Sequence, residues 1–363
     1  MTESVRSQTG HSVDVGRARE LRRGDTVRVR SAREIESSLD EAGELDRLPF
    51  MPEMLPLCGQ TFTVQARADK TCDTINLTSC SRKMESTVHL VEARCDGSAH
   101  GGCQAGCLLF FKEDWLERVD AGTPAVTAEP PSDELVQRLQ TATQVDAETY
   151  RCQATQLLEA TTQLKGHKHF LRDVSTRNAP PRQLARGFLY TFIDRYQRFS
   201  RRLPARLRIN GGDPFPDVRG PWGGERGITP TQDSGIQAGD LVEIKSLPEI
   251  IATLDHRQRN RGLWFDREMM RYCGRRVRVV RRVNRLLDEA TGRMIVTKSP
   301  CLILDGVVCE GDFHSLCPRR DYAFFREIWV RRVRPDGTVE PDHDALTTPT
   351  NTTNDTTNAT GSN

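Results

Sequence analysis

Arg94-Cys95-Asp96-Gly97-Ser98-Ala99-His100-Gly101-Gly102-Cys103-Gln104-Ala105-Gly106-Cys107 carries three cysteines, one histidine and four glycines in one short stretch. An apolar, strand-like run (Thr87 to Ala93) precedes it, and an aromatic segment ending in Trp115 follows. Glycine reaches backbone conformations closed to other residues, so such a loop can fold tightly and turn its side chains inward. A later stretch, Cys309-Glu310-Gly311-Asp312-Phe313-His314-Ser315-Leu316-Cys317, repeats the spacing C-x4-H-x2-C.

The repeat extends outward. A shift of 215 residues lays Gly239-Asp240-Leu241-Val242 over Gly24-Asp25-Thr26-Val27, and Cys273-Gly274 over Cys58-Gly59. Ser31, Glu34 and Ile35 recur as Ser246, Glu249 and Ile250; Glu53 recurs as Glu268 and Arg67 as Arg282. After one deletion the shift is 214, and Phe110, Phe111, Glu113 and Trp115 recur as Phe324, Phe325, Glu327 and Trp329. So ordered a set of matches reads as an internal duplication of a module of about 95 residues, a small domain rather than a solenoid unit.

Val27 and Val29 alternate with polar residues, the period of a half-buried strand. Ser31 with Glu34 spells a capping box for a short helix. Strands are expected over 61–68 and 87–93, with Phe110, Phe111 and Trp115 as core anchors. Between the modules the pattern predicts a helix from Asp133 to Leu164. A second helix is expected from about Arg182 to about Leu203, its apolar face Leu184, Phe188, Leu189, Phe192, Ile193 and Tyr196 and its other face basic. The expected class is α+β: two homologous β-rich modules of SH3-like barrel type over 21–120 and 236–334, joined by a linker and helical insert over 121–235. A disordered arm (1–20) and a Thr/Asn-rich disordered tail (335–363) complete the chain.

Composition narrows the function. The net charge of +2 over 363 residues is not that of a dedicated nucleic-acid binder. The run Arg275 to Arg282 alternates with valine like a strand with one solvated face, so nucleic acid is a disfavoured partner. No run approaches the ~18–20 apolar residues of a membrane span. The first 24 residues lack the apolar core of a secretory signal, so the expected location is cytoplasmic. Phosphate-binding loops, nucleophile elbows and His-Glu-x-x-His helices are missing from the sequence.

Eleven cysteines are many for a reducing compartment and point to metal or catalysis. Only three cysteine positions recur in both modules. With the recurring histidine they give Cys58, Cys95, His100 and Cys103 in the first, and Cys273, Cys309, His314 and Cys317 in the second. Three thiolates and an imidazole form a tetrahedral set for zinc, with iron or an iron–sulfur cluster as the alternative. Cys95 to His100 is similar over six residues to the Cys-Asp-Gly-Ser-His motif of the CDGSH iron–sulfur family, with Ala99 inserted and that family's upstream Cys-x-Cys missing. The overall pattern resembles bacterial proteins with the same paired modules, sometimes near biosynthetic genes, which implies a role auxiliary to such a pathway. Cys107, with no thiol counterpart in the second module, and Glu53 are the candidates for chemistry. Glu53 also suits the part of orienting His100. Arg67 and Arg282 are expected to pair with retained acids. Cys72 and Cys80 have no assigned role, Cys152 reads as a buried helix residue or as an extra ligand or thiol facing a module, and His167 and His169 form a loop pair, either exposed or in contact with a metal. The leading reading is a binding or scaffold protein for a protein or small-molecule partner, with a metalloenzyme as the alternative.

Overall fold

The computed structural model describes residues 20–77, 80–127, 129–165, 168–208, 216–223 and 227–341. The expected arm apart from Glu20, the tail beyond residue 341, and His167 lie outside the described residues. The class is mixed α+β.

The first part runs β1 (Thr26–Val29), α1 (Ala32–Glu36), β2 (Glu44–Leu45), β3 (Leu48–Pro49), β4 (Thr61–Arg67), β5 (Thr71–Cys72), β6 (Cys80–Lys83), β7 (Thr87–Arg94), β8 (Leu108–Lys112) and β9 (Leu116–Arg118). The middle supplies α2 (Asp133–Thr143), β10 (Thr162–Gln163), α3 (Lys168–Ser175) and α4 (Pro181–Ser200). The last part runs β11 (Leu241–Ile244), α5 (Leu247–Ile251), β12 (Arg259–Asn260), β13 (Leu263–Trp264), β14 (Arg276–Leu287), β15 (Met294–Val308), β16 (Tyr322–Arg326) and β17 (Val330–Arg332).

Two five-stranded antiparallel sheets dominate, ordered β8-β7-β4-β1-β9 and β16-β15-β14-β11-β17. Their registers correspond. Val27 faces Phe62 and Arg118, and Val242 faces Val277 and Arg332. His89 faces Phe110 as Ile303 faces Phe324. Ser31 caps α1 through a box with Glu34, and Ser246 caps α5 through one with Glu249. Each core closes on a fully buried tryptophan against a phenylalanine edge: Phe50–Trp115 at 5.2 Å and Phe265–Trp329 at 5.3 Å. Such an indole contributes roughly 4–6 kcal/mol by burial, an upper figure.

The modules lie against each other through equivalent arms. In the first, the excursion between β4 and β7 carries β5 and β6 to the Cys/His loop of the second, where Lys70 Nζ donates to Ser315 O at 2.6 Å. In the second, the β14–β15 hairpin reaches the first module's loop. Gln104 N donates to Arg285 O at 3.0 Å, and Leu287 packs on the first core.

The insert departs from the periodicity. The helix expected to reach Leu164 stops at Thr143. Asp146 Oδ1 accepts from Glu148 N at 2.9 Å and Thr149 N at 2.8 Å, closing a turn that competes with helix. Cys152 therefore heads a turn, its N–H on Thr155 Oγ1 at 2.9 Å. The next helix forms as α4, but Phe188, Leu189 and Phe192 of its expected apolar face are exposed. Gly187 is buried instead. A Cβ there would lie 2.6 Å from Leu316 Cδ2, so the glycine lets the second Cys/His loop close onto the helix. Among the described residues no helix is long and apolar enough to cross a membrane.

Candidate metal centre

The first Cys/His loop is built by its backbone. Cys95 N donates to Cys107 O at 2.9 Å, extending the β7–β8 ladder by one step. Asp96 Oδ1 then accepts from Ser98 N at 2.9 Å, and Gly97 O accepts from His100 N at 3.2 Å and Gly102 N at 3.0 Å. Gly97 has φ +77°, and a Cβ on it would sit 1.9 Å from Cys103 O. Only glycine fits there.

This fold points His100 inward, 3 % exposed. Its Nδ1 lies 2.7 Å from Glu53 Oε1, and its Nε2 lies 3.7 Å from Cys95 Sγ. Glu53 comes from the 3-10 segment Pro52–Leu57 and also accepts from Ala99 N at 3.0 Å. Its buried Oε2 has no hydrogen-bond partner. The ligand atoms of Glu53, Cys95 and His100 all lie within 4.8 Å of one another, so this cluster can hold a metal ion.

The electrostatics agree. Burial works against a charged His100, but hydrogen bonds to Cys103, Cys95 and Glu53 together hold its pKa far above the usual imidazole range. Burial also pushes Cys103 up, yet His100 and the backbone around it bring its pKa below that of a free thiol. Cys95 stays raised by burial despite His100. The carboxylate and two sulfurs thus converge on a point that favours positive charge.

Beside the histidine lies a cavity of 40 Å³ lined by four thiols, Cys95, Cys103, Cys107 and Cys152. Burial raises the pKa of Cys152, and that of Cys107 well above the free-thiol value, so without a cation both are neutral thiols rather than activated nucleophiles. Cys152, expected on a helix, comes to the cavity because α2 ends at Thr143 and the turn at Asp146 redirects the chain.

Cys58 and Cys273, expected as the distant ligands, are not among the converging atoms of Glu53, Cys95 and His100. Each ends a 3-10 segment and faces its own core, with Cys58 Sγ 4.0 Å from Met54 O. Burial raises both to about 11. Glu53, five positions before Cys58, reaches the loop because the 3-10 turn projects it to that side.

The second loop keeps the backbone but not the cluster. His314 N donates to Gly311 O at 3.0 Å, and Glu268 accepts from Phe313 N at 2.7 Å as Glu53 does from Ala99. However, His314 Nε2 lies on Asp266 Oδ2 at 2.6 Å. Asp266 stands where the first module has Met51, so an acid captures the imidazole. Burial opposes a charged His314, but Asp266 prevails and takes it to about 9. Burial, joined by Glu268 and Asp266, keeps Cys309 a neutral thiol. Cys317 turns to the first module, accepting from Cys72 N at 3.2 Å. His100 and Cys95 therefore come together with Glu53, whereas Cys309, His314 and Cys317 do not form an equivalent cluster among the described residues.

The arginines pair as their sequence positions suggest, Arg67 with Glu113 and Arg282 with Glu327. His169 packs on Phe170 at 4.1 Å between centroids. A cleft of 510 Å³ opens between α4 and the second loop, lined by Tyr190, Asp194, Arg198, Trp264, Phe313 and His314 among others. No family model, curated protein or solved structure matches the chain.

Proposed function

We propose that this is a tandem-module metal-binding protein whose preformed centre, in the first module, takes zinc. Cys95, Cys103 and His100 Nε2 are the ligands, with Cys107 or Cys152 completing the tetrahedron. One observation carries the reading: His100 Nε2 stands 3.7 Å from Cys95 Sγ while Glu53 holds Nδ1 at 2.7 Å. Nitrogen and sulfur ligands at ~2.0–2.1 and ~2.3 Å from a tetrahedral zinc stand roughly 3.6 Å apart. A carboxylate on the far nitrogen is the usual partner of a metal-bound imidazole.

The site is structural in this reading. A 40 Å³ cavity admits an ion and little else, which argues against an organic substrate at the metal. The metal would tie the β7–β8 loop to the turn at Cys152 and hold both against the β14–β15 hairpin. Matched strand orders and registers support descent of the two SH3-like modules from one duplicated unit. The partner-binding surface is the 510 Å³ cleft, whose size suits a small molecule. Its aromatic lining of Tyr190, Trp264 and Phe313 favours a flat ring.

Cobalt substitution tests the proposal. Tetrahedral thiolate–cobalt absorption should appear in the full chain, survive Cys58→Ser and disappear in Cys95→Ser. Equal loss in Cys58→Ser would contradict it, and a brown protein as purified would favour iron.

A further inference from the structure

Cys72, Cys80 and Cys317 lie outside the centre just described, yet the fold brings them together. Cys72 and Cys80 are cross-strand partners in the β5–β6 pair. Cys72 N donates to Cys317 Sγ at 3.2 Å, which sets the second loop's sulfur beside the Cys72–Cys80 pair. The three sulfurs thus come from the two modules.

The backbone before Cys317 is strained to achieve this. Ser315 and Leu316 have φ of +53° and +61°, where the first module has Gly101 and Gly102 at +67° and +70°. Non-glycine residues are held in that region only where the surrounding structure imposes it. Two buried cations stand close by. Lys70, its side chain 1 % exposed, donates to Ser315 O at 2.6 Å, and Arg319, 2 % exposed, lies two positions after Cys317. Both already pair with acids, Lys70 with Asp173 and Arg319 with Asp321 and Glu289. Cys80 lines the 510 Å³ cleft, which gives an ion its way in.

We infer that Cys72, Cys80 and Cys317 form a second metal site, for a thiophilic ion such as zinc or copper(I), that fastens the two modules together. Soft thiolates select such ions. The first module's arm supplies two ligands and the second module's loop the third, so the ion binds only the docked arrangement and stabilises it. The inference is independent of the centre at His100.

The test is a cadmium titration of the reduced, metal-depleted full chain without oxygen, followed by alkylation and peptide mapping. Metal analysis of the protein as purified distinguishes zinc from copper. Wild type should take two equivalents. Cys95→Ser/His100→Ala should keep one and, with it bound, protect Cys72, Cys80 and Cys317 from alkylation. Cys72→Ser/Cys80→Ser should keep one and protect Cys95 and Cys103. Unchanged stoichiometry in Cys72→Ser/Cys80→Ser overturns the inference, as does a wild-type map in which cadmium leaves the labelling of Cys72, Cys80 and Cys317 unaltered. The wild-type map decides the matter even if a variant fails to fold. A Cys72–Cys80 disulfide recovered in place of metal-protected thiols also overturns it.

Discussion

Glu53 Oε1 lies 2.7 Å from His100 Nδ1, and that contact fixes which imidazole nitrogen faces the sulfurs. The second module keeps the acid as Glu268, on Phe313 N at 2.7 Å, but its histidine pairs with Asp266. Asp266, which pairs with His314, stands where the first module has the apolar Met51.

Glu53→Gln should weaken metal binding about 10–100-fold, the usual cost of losing such a carboxylate. Chelator competition against the folded protein measures it. Glu268→Gln, two residues from the diverted Asp266–His314 pair, should leave the affinity of the first centre unchanged. Equal losses in both would mean that the acids act on stability alone.

Gly97→Ala should abolish the cluster. Its φ of +77° and the 1.9 Å approach of Cys103 O to a Cβ leave no room, and moving the loop parts Cys95 from His100. Gly122→Ala, with φ +85° and nothing within 4 Å of the added Cβ, bears only the conformational cost, about 1 kcal/mol. Thermal unfolding with and without zinc should show the zinc-dependent rise in Tm lost only in Gly97→Ala.

His89 sets an acid-side stability window. It is buried with Nδ1 on Leu109 O at 3.0 Å, and burial, only partly offset by that carbonyl, lowers its pKa to about 4. The unfolded chain takes the proton near its ordinary value of 6.5, the folded chain only near 4. The unfolded state therefore binds more protons between these values, and stability falls as pH drops through them, by at most about 1.4 kcal/mol per unit. His89→Ile, the residue found at the matching position 303, should flatten that slope. Urea melts of the reduced, metal-free protein at several pH values give the comparison.

Arg67 is a buried charge serving the core. Its side chain is 1 % exposed and meets Glu113, Asp69 and Leu21 O. Arg67→Met leaves Glu113 unpaired and Asp69 with Arg172 alone, and should cost roughly 3–5 kcal/mol. Arg282→Met should cost less, because Arg282 is itself 23 % exposed and Glu327, though only 3 % exposed, keeps the N–H of Ser234 at 2.7 Å. Denaturant midpoints of the two variants test the order.

Much of each sheet could be read locally. Val27 and Val29 alternate, Ser31 and Glu34 form the box their spacing implies, and Trp115 is buried as its aromatic neighbours suggested. Cys95 and His100 were legible because the repeat marks them. Cys107 stood out as the thiol peculiar to the first module, whereas Cys152 reaches the cavity through a turn that an Asp146 side chain makes and no periodicity announces. Cys58 recurs as faithfully as Cys95 but faces the core, because the exit direction of a 3-10 segment depends on packing. The meeting of Cys72 with Cys317 is a contact between modules 245 positions apart, which repeat spacing within a module cannot show.

Metal analysis of the full-length protein, purified without added metal, beside its Cys95→Ser/His100→Ala variant, bears most directly on the central claim. The account predicts zinc in the wild type and one equivalent fewer in the folded variant. Equal zinc in both proteins, or a wild type purified metal-free that fails to take up zinc when it is supplied, would contradict it.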